Sequence, residues 1–234
     1  FRASVCVTAQ HREMLDQVLE LFDIAPDYDL DIMKSRQGLT DITVNALTGL
    51  VNVIGEFEPD IVLVHGDTTT TFVASLAAYY CKKPVGHVEA GLRTYNKYFP
   101  YPEEMNRRLT TCIAELHFSP TESNRSNLLK EGINPTAISV TGNTVIDALK
   151  TTVDKGYQFV NEDLRGLDFS RRIIAVTAHR RENLGAPLEN ICRALRRIAD
   201  KYEDVTVVYA VHLNPAVSEP AHRILDGHPR ICLT

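Results

Sequence analysis

Short apolar runs rich in β-branched residues alternate with helical patterns along nearly the whole chain, and this alternation restricts the fold more than any other feature. Residues 60–65 form an almost continuous apolar run after a Pro-Asp turn, as expected for a strand buried on both faces. Residues 40–57 instead carry apolar side chains at helical spacing. Strands that are joined through helices pair in parallel. The sequence therefore predicts an α/β fold built on doubly wound parallel sheets.

The same two patterns locate the remaining elements. The predicted strands are 4–8, 60–65, 84–88, 116–119, 137–141, 172–177, 205–211 and a last one beginning near Arg230. The predicted helices are 12–22, 40–57, 70–80, 103–114, 122–131, 144–153, 187–202 and 215–225.

A charged, glycine-containing stretch from Asp154 to Ser170 interrupts the alternation. We interpret this stretch as a linker with some helix of its own, because strands and helices resume directly after it. The chain is therefore predicted to contain two Rossmann-like domains. Residues 1–160 form the N-terminal domain with the linker, and residues 161–234 begin the C-terminal domain.

Composition excludes several functional classes. The 234 residues are 44% hydrophobic and 24% charged, as in ordinary globular proteins. The net charge of −5 argues against general nucleic-acid binding, which needs a basic excess to neutralise phosphates. No apolar run approaches membrane-spanning length and no signal-peptide pattern opens the chain, so no membrane association is expected. Widely separated cysteines without paired spacing predict a reducing, cytoplasmic environment: Cys6, Cys81, Cys112, Cys192 and Cys232.

Three carboxylates are expected at one edge of the first sheet, where ligands bind beyond the carboxyl ends of parallel strands. Asp67 follows one strand, Glu89 follows the next, and Glu103 opens the following helix. Asp67 could instead cap a helix. Glu103 and Glu104 each precede an arginine by four residues, so surface ion pairs explain at least one of them. Glu89 has no such local explanation and would be costly to bury unpaired.

Two histidine-containing turns are expected at the matching edge of the second sheet. His179 is followed by Arg180 and Arg181 at a strand-to-helix turn, which suits an anion but also fits a solvated basic turn. His212 follows the next strand. No dinucleotide-binding glycine fingerprint, P-loop or serine-hydrolase elbow occurs in the chain. Three further histidines lie within or at the ends of strands and are expected to be structural: His65, His87 and His117.

Five strings in the same order resemble the non-hydrolysing UDP-N-acetylglucosamine (UDP-GlcNAc) 2-epimerases over the whole chain. They are His-Gly-Asp-Thr-Thr-Thr (65–70), Gly-His-Val-Glu-Ala-Gly-Leu-Arg-Thr (86–94), Pro-Glu-Glu-Met-Asn-Arg (102–107), Thr-Gly-Asn-Thr-Val-Ile-Asp (141–147) and His-Arg-Arg-Glu-Asn (179–183). Five long motifs in one order are far more specific than any single one.

The resemblance implies a fold, a reaction and partners. The fold is the two-domain GT-B arrangement with the active site in the interdomain cleft, and members are typically homodimers. The reaction interconverts UDP-GlcNAc and UDP-ManNAc by eliminating UDP to give 2-acetamidoglucal and then adding it back. The product would supply ManNAc for the synthesis of cell-surface polysaccharide. Neither a metal nor another cofactor is implied.

The resemblance also implies roles for individual residues. Asp67 and Glu103 match proton-transfer groups, with Glu89 assisting, and His179 matches a histidine that contacts the diphosphate. Further substrate contacts are implied for Arg93, Asn143, Arg180 and Glu182. A second, activating UDP-GlcNAc site is implied at Gln10, Arg36, Gln37 and His212, although Arg36 and His212 could equally be solvated surface groups.

Departures from the family pattern qualify this prediction. The family's first strand and basic loop would precede Phe1, and its uridine-binding segment would follow Thr234. Ala9 stands where members commonly have glycine. We therefore expect a chain truncated at both ends and inactive by itself.

Two other classes of function remain open from the sequence. A GT-B glycosyltransferase or a hydrolysing 2-epimerase would share the fold and the nucleotide-sugar. A non-catalytic nucleotide-sugar-binding protein would also share them, but it would not need the full set of carboxylates and His179.

Overall fold

The computed structural model describes residues 1–9, 12–34, 37–180 and 183–234, and it divides into two compact units. Unit 1 is Phe1–Val153 and unit 2 is Asp154–Thr234. Every strand pairing in the described ranges is parallel, and helices connect most of the strands. The predicted α/β class with parallel sheets is confirmed.

Unit 1 contains most of the described elements. In chain order they are β1 (Cys6–Val7), α1 (Arg12–Leu21), β2 (Tyr28–Asp29), α2 (Leu39–Phe57), β3 (Val62–His65), α3 (Thr69–Tyr80), β4 (Val85–Val88), α4 (Glu103–Ile113), β5 (Leu116–Ser119), α5 (Glu122–Lys130), a 3₁₀ turn (Pro135–Ala137), β6 (Ile138–Val140) and α6 (Thr144–Thr152).

Strands β3 to β6 lie side by side in chain order, and β1 pairs with β2 in a separate ribbon. His65 at the end of β3 is in register with Val88 at the end of β4, which is in register with Phe118 of β5. The turns that follow β3 and β4 therefore leave the sheet at the same edge.

Helix α2 supplies much of the apolar interior of unit 1. Ile42, Ala46, Leu50 and Ile54 recur every four residues, so they form one stripe, and all four are buried. The stripe belongs to one hydrophobic cluster that also includes residues of α3, β3 and β4. Burying each such Ile or Leu side chain contributes roughly 1.5–3 kcal/mol.

Unit 2 repeats the architecture on a smaller scale. Its elements are α7 (Glu162–Arg165), β7 (Arg172–Val176), α8 (Ala186–Lys201), β8 (Val205–Tyr209), α9 (Pro215–Leu225) and β9 (Ile231–Leu233). The strands pair in the order β7-β8-β9. Leu188, Cys192, Leu195 and Ala199 form the buried stripe of α8 and pack in a cluster with residues of β8 and α9.

The structure differs from the predicted elements mainly where elements are short. The two-residue strand β2 was not predicted, because two residues are too few to establish an alternating pattern. The strand predicted from Ala137 begins one residue later, since Ala137 closes the 3₁₀ turn. The helix expected within the linker is α7. Across the described ranges, no helix is both long and apolar enough to span a bilayer.

Two histidines of the sheet are buried side by side. His87 of β4 and His117 of β5 are register partners, and both are at most 1% exposed. Burial lowers the pKa of His87 to about 4 and also lowers the pKa of His117. The neutral His87 ring donates from Nε2 to the carbonyl oxygen of Gly66 at 2.7 Å. Both histidines are therefore structural, as predicted.

The buried His87 should make stability depend on pH. Its pKa rises from about 4 in the folded protein to about 6.5 in the unfolded chain, so stability is complete above pH 6.5 and falls as pH drops towards 4. Between pH 7.5 and pH 5.0 the unfolding free energy should fall by about 2 kcal/mol more in the wild type than in His87→Gln. Urea unfolding at the two pH values measures this difference, and equal losses in both proteins would contradict it.

Gly91 follows β4 at a position that only glycine fits. Its φ is +90°, and a Cβ there would lie 2.4 Å from the carbonyl oxygen of Asn124. Gly91→Ala should therefore lower the unfolding free energy by about 2 kcal/mol or more, through strain and a clash. Gly55→Ala is the matched control, because a Cβ on Gly55 of α2 meets nothing within 4 Å. It should stabilise by roughly 0.5–1 kcal/mol. A melting temperature that changes equally in the two variants would contradict this account.

Candidate active site

Asp67 lies in the turn between β3 and α3, at the carboxyl edge of the sheet. The N-cap of α3 is Thr68, whose Oγ1 accepts a hydrogen bond from the backbone of Thr71 at 3.2 Å. The capping role considered for Asp67 therefore belongs to its neighbour. The Asp67 side chain is 32% exposed, so it is accessible from solvent.

Two side chains of helix α4 donate hydrogen bonds to Asp67. The Arg107 guanidinium donates to Oδ2 of Asp67 at 2.7 Å, and the Asn106 amide donates to the Asp67 carbonyl oxygen at 3.0 Å. Glu104 lies 3.7 Å from the other guanidinium nitrogen of Arg107. Glu104, Asn106 and Arg107 are all buried, so Glu104 does not form the helix-surface ion pair that its spacing from Arg108 allowed. It pairs with Arg107 in the interior.

Glu89 has a backbone conformation that is rare for a residue with a side chain. Its φ is +68°, in the left-handed region, and such outliers cluster at functional sites. Its Oε2 lies 3.5 Å from Nε2 of His65. A Cβ built on Gly66 would lie 3.8 Å from the same oxygen, so Glu89 borders the turn that carries Asp67.

The start of α6 borders this edge as well. The hydroxyl of Thr144 lies 3.2 Å from Nε2 of His65. Asn143 caps α6, because its side chain accepts a hydrogen bond from the backbone of Val145 at 3.0 Å. His65, expected to be structural, is instead exposed and lies among Glu89 and the cap of α6.

Glu103 is the first residue of α4 and is partly exposed. It lies one turn before Arg107, so the two residues share a face of the helix. The ion pairs of Arg107 go to Asp67 and Glu104 and not to Glu103. Glu103 therefore lies on the face of α4 that carries Arg107, which contacts Asp67. It does not form the ion pair with Arg107 that would have explained it as an ordinary helix-surface residue.

Arg93, for which the resemblance implies a substrate contact, is bound to other groups of the protein. Its fully buried guanidinium makes two 2.8 Å hydrogen bonds to the carboxylate of Glu131 and one of 2.9 Å to the hydroxyl of Thr111. It also binds the carbonyl oxygen of Leu92. The guanidinium lowers the pKa of Glu131. Protein groups thus accept hydrogen bonds from four of the five N–H groups of a side chain that is not exposed to solvent.

In unit 2, two histidines meet at the carboxyl ends of adjacent strands. The rings of His179, after β7, and His212, after β8, have centroids 5.4 Å apart. The buried Tyr209 donates its hydroxyl proton to the carbonyl oxygen of Ala178 at 2.8 Å, which fixes the turn before His179. The backbone of Asn214 donates to Nδ1 of His212 at 3.0 Å. Residues that the resemblance assigns to two different sites are therefore neighbours.

The remaining predicted site residues fall into two groups. Arg180 is exposed beside His179, and the amide of Gln37 binds the loop backbone at Ile32 and Lys34. Three predicted residues lie outside the described residues: Gln10, Arg36 and Glu182.

The arrangement of unit 1 suits proton transfer. Asp67 and Glu89 project from neighbouring turns, and each has a basic partner, Arg107 or His65. Carboxylates within reach of one substrate can remove and return a proton. Among the described residues, no group of three or more His, Cys, Asp and Glu side chains could hold a metal ion.

The sequence is similar to known proteins over nearly its whole length. The family model described as UDP-N-acetylglucosamine 2-epimerase matches residues 1–234. The UDP-N-acetylglucosamine 2-epimerase of Bacillus subtilis is 58% identical over 229 residues, which cover 98% of this chain and 60% of that protein.

Solved structures give the same result. The UDP-GlcNAc 2-epimerase of Neisseria meningitidis, bound to UDP-GlcNAc, is 48% identical with a TM-score of 0.86, covering 99% of this chain and 64% of that one. S. aureus MnaA, solved with UDP, is 52% identical with a TM-score of 0.87, covering 98% and 60%. The chain thus spans about 60% of the length of its relatives. It belongs to the UDP-N-acetylglucosamine 2-epimerase family.

Proposed function

We propose that the protein interconverts UDP-GlcNAc and UDP-ManNAc by elimination and re-addition of UDP. The observation that carries this proposal is the pair of carboxylates, Asp67 and Glu89, that project from adjacent strand ends with a basic partner each. Family membership over 1–234 supports the choice of substrate, because relatives have been solved with UDP-GlcNAc and with UDP.

The reaction breaks two bonds of the sugar and re-forms them. A carboxylate removes the proton from carbon 2, the C–H electron pair becomes the C1–C2 double bond, and the C1–O pair leaves with UDP. The intermediate is 2-acetamidoglucal. UDP then adds back to C1 while a proton returns to the other face of carbon 2. Coupling proton loss to departure of UDP avoids a free carbanion, provided that donors meet the growing charge of the diphosphate.

Asp67 and Glu103 are assigned the two proton transfers, and Glu89 assists. Arg107 already binds Oδ2 of Asp67, so Oδ1 is the oxygen left for the sugar. Glu103 stands on the same face of α4 as Arg107 and remains partly exposed. Two carboxylates on different elements can serve opposite faces of one carbon, as the reaction requires.

The diphosphate is assigned to the turn after β7. His179 and Arg180 are exposed there, and the backbone N–H of Asn183 donates a hydrogen bond to the Arg180 carbonyl oxygen. Asn143 at the start of α6 is assigned a substrate contact, since helix N-termini favour anions. We further propose, from the family resemblance, a cytoplasmic homodimer whose product supplies cell-surface polysaccharide.

The reaction predicts incorporation of solvent hydrogen at carbon 2. When the full-length protein is incubated with UDP-GlcNAc in deuterated water, proton NMR should show UDP-ManNAc and loss of the carbon 2 proton signal in both sugars. Asp67→Asn should slow both changes by about 100-fold or more, because it removes a proton-transfer group. Free ManNAc with UDP would indicate a hydrolysing enzyme. An unchanged, undeuterated sugar would reject the proposal in favour of binding or glycosyl transfer.

Glu89 should matter for rate more than for folding. Glu89→Gln keeps the size and the strained backbone but removes the charge, so turnover should fall by about 10- to 100-fold at an unchanged melting temperature. The matched control is Glu122→Gln, because Glu122 is an exposed residue of the first turn of α5. Full activity in Glu89→Gln would remove Glu89 from the site.

A further inference from the structure

We propose that Arg107, which forms an ion pair with Glu104, is a positioning residue that sets the orientation of the Asp67 carboxylate. The two residues would act through Asp67 and would not touch the sugar-nucleotide. This inference deepens the function proposed above and rests on the catalytic role of Asp67 in it.

The first support for this proposal is that Arg107 and Glu104 are shielded from solvent. The side chain of Arg107 is 8% exposed and that of Glu104 is fully buried. A buried guanidinium needs carboxylate partners, because moving an unpaired charge out of water is costly. Arg107 has Glu104 on one side at 3.7 Å and Asp67 on the other at 2.7 Å. Arg107 is therefore an ion-pair partner of both carboxylates, and it donates a hydrogen bond to Asp67.

Glu104 is in turn fixed to the backbone. Its two carboxylate oxygens accept hydrogen bonds from the backbone N–H groups of Tyr95 and Thr94, both at 3.0 Å. Such charge-assisted bonds are stronger than neutral ones. Glu104 therefore connects the loop after β4 to Arg107, and Arg107 connects it to Asp67.

The backbone of the Asp67 turn is held by other residues. His87 donates to the carbonyl oxygen of Gly66 at 2.7 Å and Asn106 donates to that of Asp67 at 3.0 Å. Among the described residues, Arg107 is the one that donates a hydrogen bond to the Asp67 carboxylate, and it binds Oδ2. Rotation of the carboxylate about its own side-chain bonds is thus restrained by Arg107, while the turn itself would persist without it.

Loss of this restraint should lower the rate without loosening substrate binding. A displacement of about 1 Å at a reacting group can cost about 100-fold in rate. Arg107→Met in the full-length protein should therefore lower kcat for UDP-GlcNAc epimerisation by about 10- to 100-fold, with KM and the affinity for UDP unchanged. The matched control is Arg108→Met, because Arg108 is the exposed neighbour on the same helix, and it should keep wild-type kcat.

A double-mutant cycle with Asp67→Asn separates positioning from a general effect on the fold. If Arg107 acts through Asp67, Arg107→Met should change the residual carbon 2 deuteration rate of Asp67→Asn by less than about twofold. Multiplicative losses would overturn the inference. If Arg107→Met does not fold, Arg107→Lys takes its place, since it keeps the charge but cannot contact both carboxylates with a planar fork.

A crystal structure of Arg107→Lys tests the positioning role of Arg107 independently of the proposed function. The Asp67 carboxylate should have turned away from its wild-type position while the Asn106 hydrogen bond remains. An unmoved carboxylate would overturn the positioning role even if activity is lost. If the wild type fails to epimerise UDP-GlcNAc, the proposed function fails, and the carboxylate position still decides the structural claim.

Discussion

Parallel pairing continues past the ends of the strands into the turns that carry the candidate site. Gly66 donates its backbone N–H to Val88 at 3.0 Å, and Ala90 donates to Phe118 at 3.0 Å. Asp67 and Glu89 are therefore each one residue away from a sheet hydrogen bond. Because the ladder fixes both turns to the same rigid sheet, the spacing of the two carboxylates is set by the core of unit 1.

The unusual backbone of Glu89 follows from the same constraint. Val88 before it is paired in the sheet, Ala90 after it is bonded to β5, and Gly91 has its carbonyl oxygen held by Asn127 at 3.0 Å. A left-handed conformation at such a residue costs roughly 1–3 kcal/mol and persists only where neighbours over-determine it. In this conformation the Glu89 side chain lies beside His65 at the carboxyl edge of the sheet. A residue with ordinary strand angles would instead have continued the strand.

The fold was predictable from the sequence where local patterns are long. The stripe of α2 and the apolar run before His65 gave the right element types because burial imposes a period on them. The placement of Asp67 and Glu89 at one edge was also predictable, because each follows the end of a strand in the same parallel sheet. Arg107 was not, since its partner Asp67 is 40 residues away and local spacing indicated only a surface pair with Glu103. The pairing of Arg107 with Asp67 depends on the tertiary structure, as does the pairing of Arg93 with Glu131.

Charge balance at the carboxylate edge also restricts where the diphosphate of the proposed substrate can bind. Arg107 and Arg93 are each bound to carboxylates there, so neither adds free positive charge for a phosphate. Asp67 and Glu89 repel an anion, so hydrogen-bond donors or cations must offset the negative charge that develops on the diphosphate as UDP departs. The donors that meet this charge must therefore be groups other than Arg93 and Arg107. Of the described turns, the one after β7 carries the exposed His179 and Arg180, and such basic side chains bind phosphates. In the proposed reaction, the carboxylate edge of unit 1 is therefore assigned the proton transfers, and the basic turn of unit 2 is assigned the charge that develops on the diphosphate.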